Sequence, residues 1–412
     1  MPYKILHTAD VAAYITALGI FGTDQACLSI EEIGNGNINY IFRIKNNNTQ
    51  KTIILKQARP YLRCMGESRL LTTDRARIEA EALKKHGELC PEHTVKIEHY
   101  DHELAAIFME DLSSPEYILL RDGLMQAQIF AHFPAQIARY MANTLFYTSD
   151  FSCSQQEKKH QVSHFINPDL CQITEKLFFT EPYIDSVSNN VNPLLNATVA
   201  DLRRNEVLQM NVAKLKEKFL TQAQALIHGD LHSGSIFVSH NNTKIIDAEF
   251  AFYGPIAFDI GSLIGNFMIN FCVQSGLDTN TDPRKEYQKY LLNSMHTIWQ
   301  TFHDAFKDLM QRKTTDITFQ HSAYQAYYMD TLFKDMLGFA GTELIRRTIG
   351  AARSVDFNSI TEPSVCARSE AYAVKLGEVL ICRAEHLHDM RELISLVTEI
   401  CQFSQPNRQL NR

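Results

Sequence analysis

The fold turns on Leu226-Ile227-His228-Gly229-Asp230-Leu231-His232-Ser233-Gly234-Ser235 and, just after it, Lys244-Ile245-Ile246-Asp247-Ala248-Glu249-Phe250. An apolar segment, expected to be a helix end, runs into a loop that carries an aspartate between two histidines. Asp247 follows Asp230 by seventeen positions, room for one hairpin. Ser235-Ile236-Phe237-Val238 and Lys244-Ile245-Ile246, around a turn at Asn241-Asn242, supply it. A metal site is one reading, since His and Asp are both ligands. It is the weaker one, because His228 and His232 sit on a loop and not at helical spacing with a glutamate. The stronger reading is a phosphoryl-transfer loop, in which Asp230 orients a substrate hydroxyl and accepts its proton while His228 holds the loop. Asp247 and Glu249 flank a small residue at a strand end, which suits Mg²⁺ bridging ATP phosphates. The plain alternative is two solvated acids. Ile245-Ile246 on one side and Phe250-Ala251-Phe252 on the other make a poor setting for full solvation.

Upstream, the period changes from helical to alternating. Ile38 to Ile44 and Thr52 to Gln57 read as two strands joined by the polar turn Asn46-Asn47-Asn48-Thr49-Gln50. Val95 to Tyr100 and Leu104 to Met109 read as two more. Asp74 to Lys85 has an apolar side and a charged side and reads as an amphipathic helix. Before the first hairpin stands Glu32-Ile33-Gly34-Asn35-Gly36-Asn37-Ile38-Asn39-Tyr40. Glycines there let backbone amides approach phosphate oxygens, although Asn-Gly is also the commonest hairpin turn. Lys56 ends an apolar strand, where it either reaches α- and β-phosphates or points into solvent. A phosphate-binding lysine needs a carboxylate to hold it. The helix offers Glu79, with Glu81 the alternative. Glu110-Asp111-Leu112-Ser113-Ser114-Pro115 is the expected hinge.

Beyond the hinge the pattern is helical near 126–148, 206–226, 259–272, 284–311, 320–351 and 367–403. The chain has 412 residues, 45% hydrophobic and 21% charged, as in ordinary soluble globular proteins. Its net charge of −7 argues against a nucleic-acid partner. Nine scattered cysteines with no C-x-x-C pair read as buried free thiols in a reducing compartment. The N-terminus shows no secretory signal, and no apolar run approaches the roughly 20 residues that span a bilayer. A cytoplasmic protein without a membrane partner is expected.

Glycine turn, strand lysine, helix glutamate, hinge, His-Gly-Asp loop and acid pair stand in the order of the protein-kinase-like fold. The chain resembles its aminoglycoside- and choline-kinase branch and, within that, the methylthioribose kinase family. The likeness rests on Ile33 to Tyr40, Gly66-Glu67-Ser68, Asp74 to Glu79, Met109-Glu110-Asp111-Leu112, Leu145-Phe146-Tyr147, His228 to Ile236, Glu249 to Pro255 and Glu343 to Gly350. It runs from about residue 10 to 400. The resemblance implies an α+β, bilobal fold: an N-terminal ATP-binding lobe over 1–112, with a small antiparallel sheet and a helix, and a larger, mainly helical catalytic and substrate-binding lobe over 113–412. It implies Asp230 as the catalytic residue. ATP would be held by Gly34, Gly36, Asn39, Lys56, Glu79, Glu110, Asp111, Leu112, Asp247, Ala248 and Glu249, and Mg²⁺ by Asp247 and Glu249. 5-Methylthioribose would be bound by Asp230, Arg346 and Arg347, in a homodimeric enzyme of methionine salvage. Arg346 and Arg347 can also be read as an intrahelical salt bridge, because Glu343 reaches either one; one could anchor there while the other faces the cleft.

Most kinases of this fold have an asparagine five residues after the catalytic aspartate. Ser235 stands there, a loss that the methylthioribose kinases share, with Glu249 supplying the metal contact. Two departures stand out: Arg69 where the family often has tryptophan, and Asp-Ala-Glu where some members have Asp-Pro-Glu. The alternatives are a kinase of the same fold acting on choline, homoserine or an aminoglycoside-like alcohol, and a pseudokinase. The latter predicts loss of Lys56, Asp230 or Asp247, and all three are present.

Overall fold

Strand and helix periods separate along the chain as the side chains demand. A computed structural model describes residues 3–22, 24–33, 39–61, 70–113, 116–277 and 281–402. Helix α1 (Thr8–Ala17) is followed by β1 (Leu28–Glu32), β2 (Asn39–Asn46) and β3 (Thr52–Ala58), then α2 (Arg75–Leu89), β4 (Ile97–Asp101) and β5 (Ala106–Met109). The five strands form one antiparallel sheet in the order β1-β2-β3-β5-β4. Alternation along β2 sends Phe42 and Ile44 to one face, where they pack with Leu6, Val11 and Ile15 from the α1 region. Ile41 and Ile54 face a cleft on the other side. The expected hairpin, later strands and amphipathic helix are all present; α1 is an addition.

After Leu112 come β6 (Ile118–Leu119), α3 (Leu120–Met125), α4 (Phe133–Tyr147), α5 (Gln155–His164), α6 (Pro168–Phe179), α7 (Asn196–Arg204) and α8 (Glu206–Thr221). Then follow β7 (Ala225–Ile227), β8 (Ile236–Val238), β9 (Thr243–Ile245), β10 (Phe252–Gly254), α9 (Ile256–Gly276), α10 (Asp282–Lys313), α11 (Ser322–Ile349), α12 (Pro363–Arg383) and α13 (Met390–Gln402). The predicted hairpin is β8–β9, with Ile236 opposite Ile245.

Several expectations need correction. Leu226 and Ile227 belong to no helix: α8 stops at Thr221, Gln222 turns extended, and β7 pairs with β10. A three-residue segment buried on both faces must bond its backbone to a neighbour. The helix expected over 126–148 starts only at Phe133, with Ala127 in the left-handed region and Pro134 in the first turn. The stretch 367–403 is two helices, parted at Ala384–His386. The sequence gives no expectation of helices α5 to α7; α5 is polar but for Val162, and only Lys158 in it is fully buried. Four described cysteines (153, 171, 366 and 382) are only half-buried, and Cys64 lies outside the described residues. Finally, α9 is long and apolar enough to cross a bilayer, against the sequence expectation, yet 94% of that window is buried inside the fold. α11 and α12 pack along it and make it the axis of the helical region.

Candidate active site

The 228–235 loop leaves β7 and is fixed by its backbone before any side chain reaches the cleft. Gly229 has φ +81°, and a Cβ there would come within 2.1 Å of the Phe250 carbonyl oxygen, so only glycine fits. The Asp259 carboxylate, in the first turn of α9, accepts from the amides of His228 (2.7 Å) and Gly229 (3.0 Å). Burial pushes the Asp259 carboxyl above its usual range despite these donors. His228 Nε2 lies 2.8 Å from the Ile246 carbonyl, which can only accept, so Nε2 carries the proton. Its Nδ1 is then free to accept from the Asp230 amide at 3.3 Å. His228 anchors the loop, as expected from the sequence.

Around the Asp230 carboxylate three donors converge. His232 Nε2 is 3.3 Å from Oδ2. Its Nδ1 accepts from the Gly234 amide at 2.8 Å, which leaves the ring proton on the Asp230 side. Arg346 Nη2 is 3.3 Å and Arg347 Nη2 3.8 Å from Oδ1. Both arginines also pair with Glu343, Arg347 at 3.0 Å. The division into one anchored and one cleft-facing arginine is therefore replaced by a shared arrangement: each guanidinium touches both carboxylates. Arg346 is further held with its carbon 3.6 Å from the Phe178 ring centroid. Asn266 links Glu343 (2.8 Å) to the Ser233 hydroxyl (2.9 Å). Burial raises the Asp230 pKa, but His232, Arg346 and Arg347 outweigh it and hold the carboxyl far below the ordinary range. Ser235 donates its hydroxyl to the Asp230 carbonyl at 3.1 Å.

A second group gathers under the sheet. Lys56 Nζ is 2.7 Å from Glu79 and bonds Asp247 as well. Burial alone would lower the Lys56 pKa, yet Asp247 and Glu79 raise it, so the ammonium is firmly charged. Glu81 turns away to Arg77 and His164, which resolves the choice between the two helix glutamates. Asp247 sits at φ +69°, a left-handed conformation that aspartate tolerates better than most residues. Asn39 and Arg75 both donate to Glu249 Oε2, at 3.3 and 3.1 Å. One carboxylate oxygen from each of Glu79, Asp247 and Glu249 lies within 4.8 Å of the others, a donor set that suits a hard divalent cation.

These residues line a cleft of about 500 Å³ with Ile41, Ile54, Val95, Met109, Phe237 and Ile246 as its apolar walls. Asn39, Lys56, Glu79, Glu110, Asp111, Leu112, Asp247 and Glu249 all border it. Ala248 does not; it packs into the apolar cluster beneath α2. Gly34 and Gly36 lie outside the described residues, as do Gly66–Arg69. The segment expected as the hinge is braced by Lys244 on Glu110 (3.5 Å) and Arg43 on Asp111 (3.4 Å). Arg75, Asp259 and Asn266 were not foreseen. An acid inside the apolar run of α9 could have flagged Asp259; Arg75 lies within the Asp74–Glu79 stretch that carries the resemblance, but nothing in that charged run singles it out.

The phosphotransferase enzyme family model matches residues 29–290. A methylthioribose kinase of Yersinia pseudotuberculosis is 43% identical over 406 residues, 98% of this chain and 99% of the relative. One from Pectobacterium carotovorum is 43% identical over 397 residues, 96% and 98% of the two chains. Among solved structures, choline kinase from Cryptosporidium parvum superposes with a TM-score of 0.54 at 13% identity, covering 95% of this chain and 100% of that one. That likeness confirms the bilobal α+β kinase-like fold. By the family match and the near full-length identity, the chain belongs to the phosphotransferase enzyme family and, within it, to the methylthioribose kinases.

Proposed function

We propose that the chain transfers the γ-phosphoryl group of ATP to the anomeric hydroxyl of 5-methylthioribose, giving 5-methylthioribose 1-phosphate and ADP in methionine salvage. The observation that carries this is the Asp230 carboxylate ringed by His232, Arg346 and Arg347, on the loop whose Gly234 borders a nucleotide-sized cleft. The apolar walls suit a purine, and among the described residues no protein group bonds the Leu112 amide, which leaves it for the base. Lys56, held by Glu79, meets the phosphates. Mg²⁺ fits the carboxylates of Asp247 and Glu249 and would neutralise phosphate charge when bound. Asp230 orients the acceptor hydroxyl and takes its proton as the new O–P bond forms and the bond to ADP breaks. A carboxylate this depressed is a weak base. An anomeric hydroxyl, acidified by the ring oxygen, asks less of it than a simple alcohol. Arg346 and Arg347 are placed to bind ribose hydroxyls and the transferring phosphoryl group.

The same reading divides the chain into lobes at 1–112 and 113–412, supported by the hinge at Glu110–Leu112. It also makes the enzyme a cytoplasmic homodimer; the dimer rests on resemblance and is checked by light scattering. The deciding assay measures ADP release with methylthioribose, choline, homoserine and an aminoglycoside, each with and without Mg²⁺. Turnover of methylthioribose that needs Mg²⁺ is expected. Turnover of another alcohol without it would sink the substrate assignment.

A further inference from the structure

Arg75 opens α2 and is wholly shielded from solvent. Its guanidinium gathers acceptors from separate stretches of chain. Nε donates to Glu249 Oε2 at 3.1 Å and Nη2 to Asn39 Oδ1 at 3.0 Å. Nη1 donates to the carbonyls of Arg59 (2.9 Å) and Thr72 (2.6 Å). Asn39 then turns its own amide onto the same Glu249 oxygen at 3.3 Å. Oε2 therefore takes two donors. Among the described residues no side chain bonds Oε1, and the Glu249 carboxylate lies beside those of Asp247 and Glu79. The Glu249 backbone is pinned as well, because Asn167 Nδ2 donates to the carbonyls of Glu249 (2.9 Å) and Ala251 (3.1 Å).

A buried guanidinium is costly to desolvate, and only a planar fork can serve so many fixed acceptors; a lysine ammonium cannot. The arrangement also joins two parts of the fold. Asn39 belongs to β2, Arg59 follows β3 and Thr72 precedes α2, whereas Glu249 lies on the loop after β9.

We infer that Arg75 is a positioning residue for the divalent cation: it fixes the Glu249 carboxylate so that one oxygen is tied down and the other is presented beside Asp247, and it makes cation affinity depend on the sheet being seated on the acid loop. The inference rests on the reading of Asp247 and Glu249 as the cation ligands. Arg75 touches neither nucleotide nor acceptor in this scheme and acts through Glu249 alone.

The test is Mn²⁺ binding to the full-length protein with ADP present, followed by electron paramagnetic resonance of the free ion, together with ADP binding without metal by calorimetry. Arg75→Lys is expected to weaken Mn²⁺ binding about ten- to a hundred-fold, with metal-free ADP affinity within about threefold of the parent. Asn39→Ala, which removes one of the two donors to Oε2, shifts the ratio of ADP affinities with and without Mn²⁺ in the same direction by less. In a Glu249→Gln background, Arg75→Lys adds little further loss, as a residue acting through Glu249 requires. Parental Mn²⁺ affinity in folded Arg75→Lys overturns the inference, and so does a full loss that persists in the Glu249→Gln background. Should Arg75→Lys fail to fold, Asn39→Ala decides by the same ratio. A parent that binds no Mn²⁺ with ADP overturns the acid-pair reading and this inference with it, an outcome distinct from the others.

Discussion

The Asp230 carboxylate is held so firmly by cationic neighbours that its role can be tested without disturbing the cleft. Asp230→Asn keeps the shape and loses the charge. It should lower kcat by about 10²- to 10⁴-fold while the ATP dissociation constant stays within about twofold. Pre-steady-state quench flow with equilibrium nucleotide binding checks both; surviving activity would remove Asp230 from the chemistry. Arg346 offers a second test. It bonds Asp230 and Glu343 and stacks on Phe178 at once. Arg346→Lys keeps a charge but loses the fork. The acceptor KM should rise at least about tenfold, with the ATP KM nearly unchanged, and steady-state kinetics in each substrate would show it. At this scale much of the site was legible. Asp230, Asp247, Glu249 and Lys56 stand in motifs whose spacing implies their meeting. Arg75, Asp259 and Asn266 were not, because they act by bonding other site residues across long sequence separations, and a one-dimensional pattern does not record such pairs. Ala248 sits between two cleft residues, but its side chain turns inward, which its place in the motif does not reveal.

Among the elements, the packing of α9 on α11 governs the arginines. Gly265 on α9 lies against Glu343 on α11, and a Cβ there would come 2.9 Å from the Glu343 Cγ and 3.2 Å from the Ala340 carbonyl. Gly265→Ala should therefore push the buried carboxylate that holds both Arg346 and Arg347. The expected result is a loss of about 1–3 kcal/mol of stability from overpacking and a raised acceptor KM. Urea unfolding and acceptor titration read these separately; a stability loss with parental acceptor KM would show that Glu343 adjusts freely. The long helices were legible because each carries an apolar face over several turns. β7 reads as a helix end in the sequence because an Ala-Leu-Ile run has no period of its own and takes its apparent type from α8. α5 escaped because a helix with almost nothing to bury leaves no stripe.

Across the whole molecule, α2 is bound into the helical region through a buried histidine. His86 Nε2 donates to the Leu226 carbonyl at 3.2 Å, and the Tyr140 hydroxyl donates to Nδ1 at 2.8 Å. Burial, the largest cause, lowers the His86 pKa from 6.5 to about 3. The unfolded chain therefore binds a proton below about pH 6.5 that the folded chain refuses, so this group costs nothing above that pH and destabilises as pH falls. The slope is about 1.4 kcal/mol per pH unit towards pH 3. His86→Gln, which can still donate and accept, should flatten the acid limb of a stability–pH curve measured by urea unfolding; an unchanged limb would place the acid sensitivity elsewhere. The bilobal fold itself was legible, since the strands of the five-stranded sheet precede the long helices in the chain. The membrane-like composition of α9 does not stand out in the sequence because Asp259 and Asn266 interrupt its apolar run. That helix has a consequence for synthesis. α10, α11 and α12, which cover it, all follow it in the chain, and at about 5–20 residues per second α9 leaves the ribosome several seconds before its cover exists. During that interval it offers chaperones and targeting factors a greasy segment that the finished enzyme never shows. Ribosome-bound chains halted before Ser322 should bind trigger-factor-type chaperones, and chains released after Arg383 should not.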